Sequence, residues 1–320
     1  MKRVIVLSLA ILMVISAMAV AEGVGAFSAF NSGIGARALA MGGAFVAVAN
    51  DATTAYWNPA GLATLNDTTL DGMSTDLFGL GVTHQFVGAT TSIAGIGLGV
   101  AWERASVLGT GASDTGDSTG NFTWNESAIV GSVAANLFGM ANAGINVKYY
   151  MADSGLGDSA NGFGFDAGLL VNLGSMFTLG LQAHDLGGST VTWTTGTTNT
   201  VDAGYTAGLA MKLLDGNLTL ATDVDFDGAQ LGNTHVGLEF KVIKELALRG
   251  GVVLTDNFQN YYFTAGAGIN VAGLSVDAAY LMNETLGNTL VLSAQFSLGN
   301  LLGGAPAATS STTSSSSSSE

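Results

Sequence analysis

The segment "DVDFDG" (223–228) places acids at its first, third and fifth positions and glycine at its sixth, which is how a calcium loop begins. The twelfth position is Thr234, which cannot supply the bidentate carboxylate such a loop needs. Asp223, Asp225 and Asp227 also share one face of a period-two strand, so a row of lumen-facing or loop-end carboxylates explains them without a metal. His84, His184 and His235 are scattered, with no paired ligand spacing. There is no cysteine, nucleophile elbow, P-loop or dinucleotide fingerprint. Glu103, Asp166 and Asp277 fall at inward positions, but no spacing pairs two of them for acid–base work. The expectation is a protein that is not an enzyme and uses neither cofactor nor metal.

These residues sit on segments that alternate strictly. In "NLTLATDVDFDG", Leu218, Leu220, Thr222, Val224 and Phe226 share one face and Thr219, Ala221, Asp223, Asp225 and Asp227 the other. Leu290, Leu292, Ala294, Phe296 and Leu298 likewise oppose Val291, Ser293, Gln295 and Ser297. The same pattern sets Ile96, Leu98, Val100 and Trp102 against Glu103, and Ile145 and Val147 against Lys148. From about residue 68 to 298 there is no proline, the residue most hostile to sheet ladders. Counting such segments predicts an all-β fold: a transmembrane antiparallel barrel of about 14 strands, many near the length that crosses a bilayer. Its apolar face meets lipid, and its other face carries Glu103, Lys148, Asp166, Asp223, Asp225, Glu239, Arg249 and Asp277 in the lumen. Charge added at Ala221 or Ser293 is then expected to be tolerated if the lumen has room. Trp124, Trp193, Tyr149, Tyr261 and Tyr262 lie near predicted strand ends, where they suit either interfacial girdles or a lid over a ligand.

Composition agrees. Hydrophobic residues make up 48% and mean hydropathy is +0.43, while charged residues are 10%, against about 25% in an ordinary soluble domain. A soluble β-sandwich would need surface charge on its polar faces, and here those faces are mostly Gly, Ala, Ser, Asn and Thr. Lys2 and Arg3, an apolar run from Val4 to Ile15 and "SAMAVAEG" have the layout of a secretory signal peptide. Without Lys2 and Arg3 there remain 7 basic residues against 24 acidic ones, which argues against nucleic acid as a partner. The expected organisation is a signal peptide at 1–21, an N-terminal segment at 22–66, a barrel at 67–300 and a low-complexity Ser/Thr tail at 301–320, read as disordered.

The N-terminal segment holds Pro59, the one proline before the tail, within "NPAG". Asp51 can cap a short helix beginning at Ala52, and Asn58 followed by Pro59 matches an N-cap with proline at the first helical position. "GARALAMGGAFVAVANDATTAYWNPAGLA" (35–63) resembles the N-terminal signature of the PorV/PorQ family, a branch of the FadL-like outer-membrane barrels. The likeness continues in "LQAHDLGG" (181–188), "LGNTHVGLEFKVIKELALRGGV" (231–252) and "LSVDAAYLMNETLGNTLVLSAQFSL" (274–298). The resemblance implies a fourteen-stranded outer-membrane barrel whose N-terminal segment folds inside the lumen as a hatch, with Arg37, Gly42, Gly43, Asp51, Asn58, Pro59 and Gly61 as its motif residues. It further implies a secretion component of type IX kind that binds other envelope proteins. The rival is a FadL-like conduit for hydrophobic small molecules. A conduit calls for an apolar path inside the barrel, and the inward positions read here as small and polar favour the partner-binding role.

Overall fold

The computed structural model describes residues 27–301 except 113–117, 228–229, 256 and 285. Sixteen strands follow one another: β1 (Thr69–Leu77), β2 (Val82–Ile93), β3 (Ile96–Ala112), β4 (Ser118–Leu137), β5 (Ala141–Asp153), β6 (Ser159–Leu173), β7 (Phe177–His184), β8 (Ser189–Trp193), β9 (Thr198–Val201), β10 (Gly204–Leu213), β11 (Leu218–Asp227), β12 (Gln230–Ile243), β13 (Leu246–Thr255), β14 (Asn260–Val271), β15 (Leu274–Met282) and β16 (Thr289–Ser297). From β1 to β7 and from β10 to β16 each strand pairs antiparallel with the next, β7 pairs with β10, and β1 pairs with β16. Fourteen of them therefore close a barrel with no free edge, the arrangement that satisfies every backbone amide in hydrocarbon. The remaining two, β8 and β9, form a hairpin that pairs with the upper end of β6, where the short β7 no longer reaches.

At one end of the barrel the connections are only two to four residues. Ala94-Gly95 and Ala272-Gly273 have positive φ at both residues, the conformation of two-residue type I′ hairpins. At the other end β3 and β4 extend furthest, and the connections run from two residues to the nineteen between β7 and β10 that include the β8–β9 hairpin. Both the start of β1 and the end of β16 lie at the short-turn end, where Asp67 accepts hydrogen bonds from the Ser297 hydroxyl and the Gly299 amide.

Alternation separates the two faces. Val100, Ile145, Val147, Leu248, Ile269, Leu290 and Leu292 point outward and stay exposed, giving the barrel an apolar belt. The opposite positions are buried, because residues 27–66 occupy the lumen. This stretch contains a 3₁₀ turn (Ser28–Ser32), a helix (Ala36–Ala40), a second helix (Thr54–Trp57) and another 3₁₀ turn (Pro59–Thr64). The hydrophobic core is shared between it and the wall: Ile34, Leu39 and Ala55 pack with Met73, Phe86 and Val291, and Met41 and Phe45 pack in one cluster with Ala210 and Ala221. Residues 1–26 and 302–320, with the expected signal peptide and most of the Ser/Thr tail, lie outside the described residues.

Candidate functional site: the lumen and its N-terminal segment

Two cross-strand glycine pairs seat the inner segment. Gly144 and Gly168 face each other on β5 and β6; a Cβ at Gly144 would lie 2.4 Å from the Pro59 carbonyl carbon, and one at Gly168 would lie 2.1 Å from Asn58 Oδ1. Gly237 and Gly251 do the same on β12 and β13 for Met41 and Gly42. Only a bare backbone lets the segment approach this closely. Asn58 then uses its whole amide. Its Oδ1 accepts from Ala60 N at 3.1 Å, and its Nδ2 donates to Val46 O at 2.9 Å and Leu169 O at 3.3 Å. Pro59, with no amide hydrogen, fills the first position of the 3₁₀ turn. The helix expected from Ala52 begins at Thr54, because Asp51 Oδ1 accepts from both the Thr53 amide and hydroxyl and holds the chain in a turn first. Gly61 passes against Ala49, where a Cβ would lie 2.3 Å from the Ala49 oxygen.

The wall satisfies backbone groups that the short helices leave orphaned. Asn146 Nδ2 donates to Ala55 O at 2.7 Å and Gln182 Nε2 to Tyr56 O at 2.6 Å. Asp223 Oδ2 accepts from Phe45 N at 2.6 Å and Val46 N at 2.7 Å. Ser293 Oγ accepts from Ala36 N, and Ala221 packs against the segment. The expected tolerance for charge at Ala221 and Ser293 therefore meets a filled lumen.

A charged chain runs on the short-turn side. Arg37 donates through Nε and Nη2 to Glu239 at 2.8 and 3.0 Å, and through Nη1 to Asn50 and Asp51 at 2.7 and 3.0 Å. Arg249, the cross-strand neighbour of Glu239, donates to it at 2.7 Å and to Asp277 at 2.6 Å. Burial would lower the Arg37 pKa, but the Glu239 carboxylate, helped by Asp51, more than offsets this and holds the guanidinium above its ordinary value. These residues border a polar vestibule of about 480 Å³ together with Asp71, whose Oδ1 is buried without a hydrogen-bond partner.

On the long-loop side the segment floors a cavity of about 370 Å³, in the size range of small-molecule sites. Phe27, Phe30, Tyr56 and Trp57 come from the segment; Phe86, Tyr150, Tyr205, Phe226 and Tyr262 come from the wall. Tyr56 donates to Phe30 O at 2.7 Å and Trp57 Nε1 to Ile34 O at 2.8 Å, which fixes both rings. Burial, then the charge of Glu103, pushes the Tyr56 phenol above its ordinary pKa, so it is a neutral donor. Of the tyrosines expected at strand ends, Tyr262 turns into the cavity while Tyr261 stays outside, packed at 5.5 Å on Phe263. Trp124 and Trp193 pack with their rings tilted 47° and centred 5.3 Å apart, and Tyr149 packs 5.0 Å from Phe163.

Polar clusters stud the cavity. Lys148 Nζ lies 2.7 Å from Asp166 Oδ1 and 2.5 Å from Asp185 Oδ2. Asp185 also accepts from Tyr150 and Ser189, and its own amide donates to Asp166. His84 Nε2 lies 2.8 Å from Glu103 Oε1, while its Nδ1 lies 3.2 Å from Ser32 Oγ, whose hydroxyl donates to Ala29 O. His235 lies between Asp225 at 2.9 Å and the Gly42 carbonyl at 2.6 Å. Both rings are thus engaged at both nitrogens. Gly43 abuts His235, so Gly42 and Gly43 of the motif both lie at this contact. Among the described residues no three His, Cys, Asp or Glu side chains gather in a way that could hold a metal.

Asp185 and Tyr150, central to the Lys148 cluster, were not singled out from sequence. Asp185 sits in a connection at φ 49°, and the only signal was its place in "HDLGG", a turn-rich stretch between strands.

No protein-family model and no curated relative matches the chain. Solved structures do. The Pseudomonas putida toluene transporter TodX superposes with a TM-score of 0.62 at 14% identity, covering 83% of this chain and 99% of that one. The Ralstonia pickettii toluene transporter TbuX gives 0.58 at 15% identity, with 83% and 98% covered. A Pseudomonas aeruginosa FadL homologue gives 0.59 at 13% identity, with 82% and 98% covered. The fold is FadL-like.

Proposed function

We propose that this chain is an outer-membrane conduit for small hydrophobic molecules, closed at rest by its own N-terminal segment. The observation that carries this reading is the cavity: nine aromatic rings enclose about 370 Å³ inside a closed barrel, directly above the segment that fills the lumen. The apolar belt outside supplies the lipid-facing surface. By the convention of such barrels, the short-turn end with both barrel termini faces the periplasm, and the long-loop end faces outward. The cavity then opens toward the source of the ligand, and the Arg37–Glu239–Arg249–Asp277 chain bars the periplasmic side. The domain plan proposed is a signal peptide at 1–21, a hatch at 22–66 and a barrel at 67–300.

The partner-binding secretion reading that the PorV/PorQ resemblance implied receives no support from the structural neighbours, which are named as toluene transporters, a monoaromatic hydrocarbon channel and a FadL homologue. Its sequence argument was that the inward face is small and polar. The small residues are instead sockets for the inner segment, and the apolar lining of the cavity is shared between the wall and aromatic residues on that segment, whose direction strand alternation does not report.

The test is uptake. Cells of a host with low permeability to monoaromatics, expressing the protein in their outer membrane, should take up radiolabelled toluene several-fold faster than cells with an empty vector. Equal uptake with the barrel folded and present would defeat the conduit reading. Co-purification of a stoichiometric envelope protein under the same conditions would favour secretion.

A further inference from the structure

The wall of the cavity narrows the chemistry of the passenger. Resting on the conduit reading, we propose that the cavity selects molecules with an apolar, ring-sized body and a cationic head, and that it rejects anionic amphiphiles such as fatty acids.

An anion entering a low-dielectric cavity needs a cation that is not already spent. Lys148 is the one lysine or arginine on the described lining, and it is held between Asp166 and Asp185 at 2.7 and 2.5 Å. Arg37 and Arg249 lie on the other side of the hatch, committed to Glu239, Asp51 and Asp277. His84 and His235 are each engaged on both ring nitrogens.

The charge balance points the same way. The Lys148 cluster sets two carboxylates against one ammonium, so the lining keeps an excess negative charge.

Aromatic faces border this charge. Tyr150, whose hydroxyl donates to Asp185, packs 4.7 Å from Phe27, and the Lys148 ammonium already lies 5.4 Å from the Tyr150 ring centre. Tyr56 and Trp57 stand edge to face at 4.9 Å on the floor. Ring faces beside an uncompensated carboxylate are how proteins recognise organic cations. A neutral hydrocarbon would use the rings alone and gain nothing from the charge.

The experiment compares three probes of similar size by calorimetry and by quenching of Trp57, the tryptophan on the lining: benzyltrimethylammonium, its neutral isostere neopentylbenzene, and phenylacetate. The full-length protein in a neutral detergent should bind the cation at least about tenfold more tightly than the isostere, with phenylacetate weakest. Asp185→Asn, whose side chain tolerates the positive φ there, should erase the preference by weakening binding of the cation at least about tenfold relative to neopentylbenzene. If that variant fails to fold, as read from heat-modifiable electrophoretic mobility, Asp166→Asn replaces it and the wild-type series stands on its own. Tighter binding of neopentylbenzene or phenylacetate than of the cation overturns the inference and leaves the conduit standing. Binding of none of the three overturns the conduit reading itself.

Discussion

Replacing Gly168 by alanine should undock the hatch without harming the barrel. The added Cβ would lie 2.1 Å from Asn58 Oδ1 and 2.8 Å from Pro59 Cδ, against the 3.4–4 Å of ordinary contact, so the "NPAG" turn must withdraw by about 1 Å. Overpacking of this kind costs about 1–3 kcal/mol. The withdrawal also stretches the bonds from Asn58 Nδ2 to Leu169 O and Leu181 O, already 3.3 and 3.4 Å, at about 0.5–1.5 kcal/mol each. A total near 3 kcal/mol shifts the docking equilibrium by about a hundredfold. Gly131→Ala is the control, because it points outward with nothing within 4 Å of its Cβ. The assay is trypsin cleavage after Arg37, the single basic residue between positions 27 and 66, followed by mass spectrometry and paired with single-channel conductance in planar bilayers. Gly168→Ala should be cut faster and conduct more often than wild type, and Gly131→Ala should match wild type. If the two variants behave alike, the glycine pair is not a socket and the hatch is held by something else.

Other expectations follow from the same geometry. Arg37→Ala removes four hydrogen bonds and leaves Asp51 without its ion partner; because Arg37 keeps 20% side-chain exposure, the cost should be near the lower end of the ~3–5 kcal/mol for breaking a buried pair, read as earlier hatch proteolysis in urea. Leu292→Arg, on the exposed belt, should cost about 2–4 kcal/mol if it lies near the bilayer midplane, whereas Gln295→Arg, facing the vestibule, should cost far less; equal folding yields into vesicles would show the faces to be misassigned. Asp223→Ala strips the acceptor from two buried amides, Phe45 N and Val46 N, and should destabilise hatch docking by about 1–3 kcal/mol per amide, measured as hydrogen exchange at those two sites.

The barrel was legible because its rule is local. Leu290, Leu292 and Phe296 against Val291, Ser293 and Gln295 announce a strand and its two faces within eight residues, and the lumen side of Glu103, Lys148 and Glu239 follows from the same alternation. Closure was legible only as a count, and β8–β9 shows why that count is loose: these two short strands pair with each other and with β6, outside the cycle of fourteen. The partnership of Glu239 with Arg249 spans ten residues across one tight turn, but that of Arg37 with Glu239 spans 202 and no local pattern carries it. The cavity was hidden for a related reason. Phe27, Phe30, Tyr56 and Trp57 lie in short irregular turns with no period to show which way they point, and only docking into the barrel aims them at one space. The inward glycines looked like featureless lumen and proved to be the contact points with the segment inside.

The central claim is that the cavity above the hatch receives the small apolar molecules this barrel passes. Diffusing bromobenzene into crystals of the protein and measuring anomalous scattering at the bromine edge tests it most directly. The account requires a bromine peak among Phe30, Trp57, Tyr150 and Tyr262. Bromine found only on the outer belt around residues such as Leu290 and Ile145, with the cavity unoccupied, would contradict it.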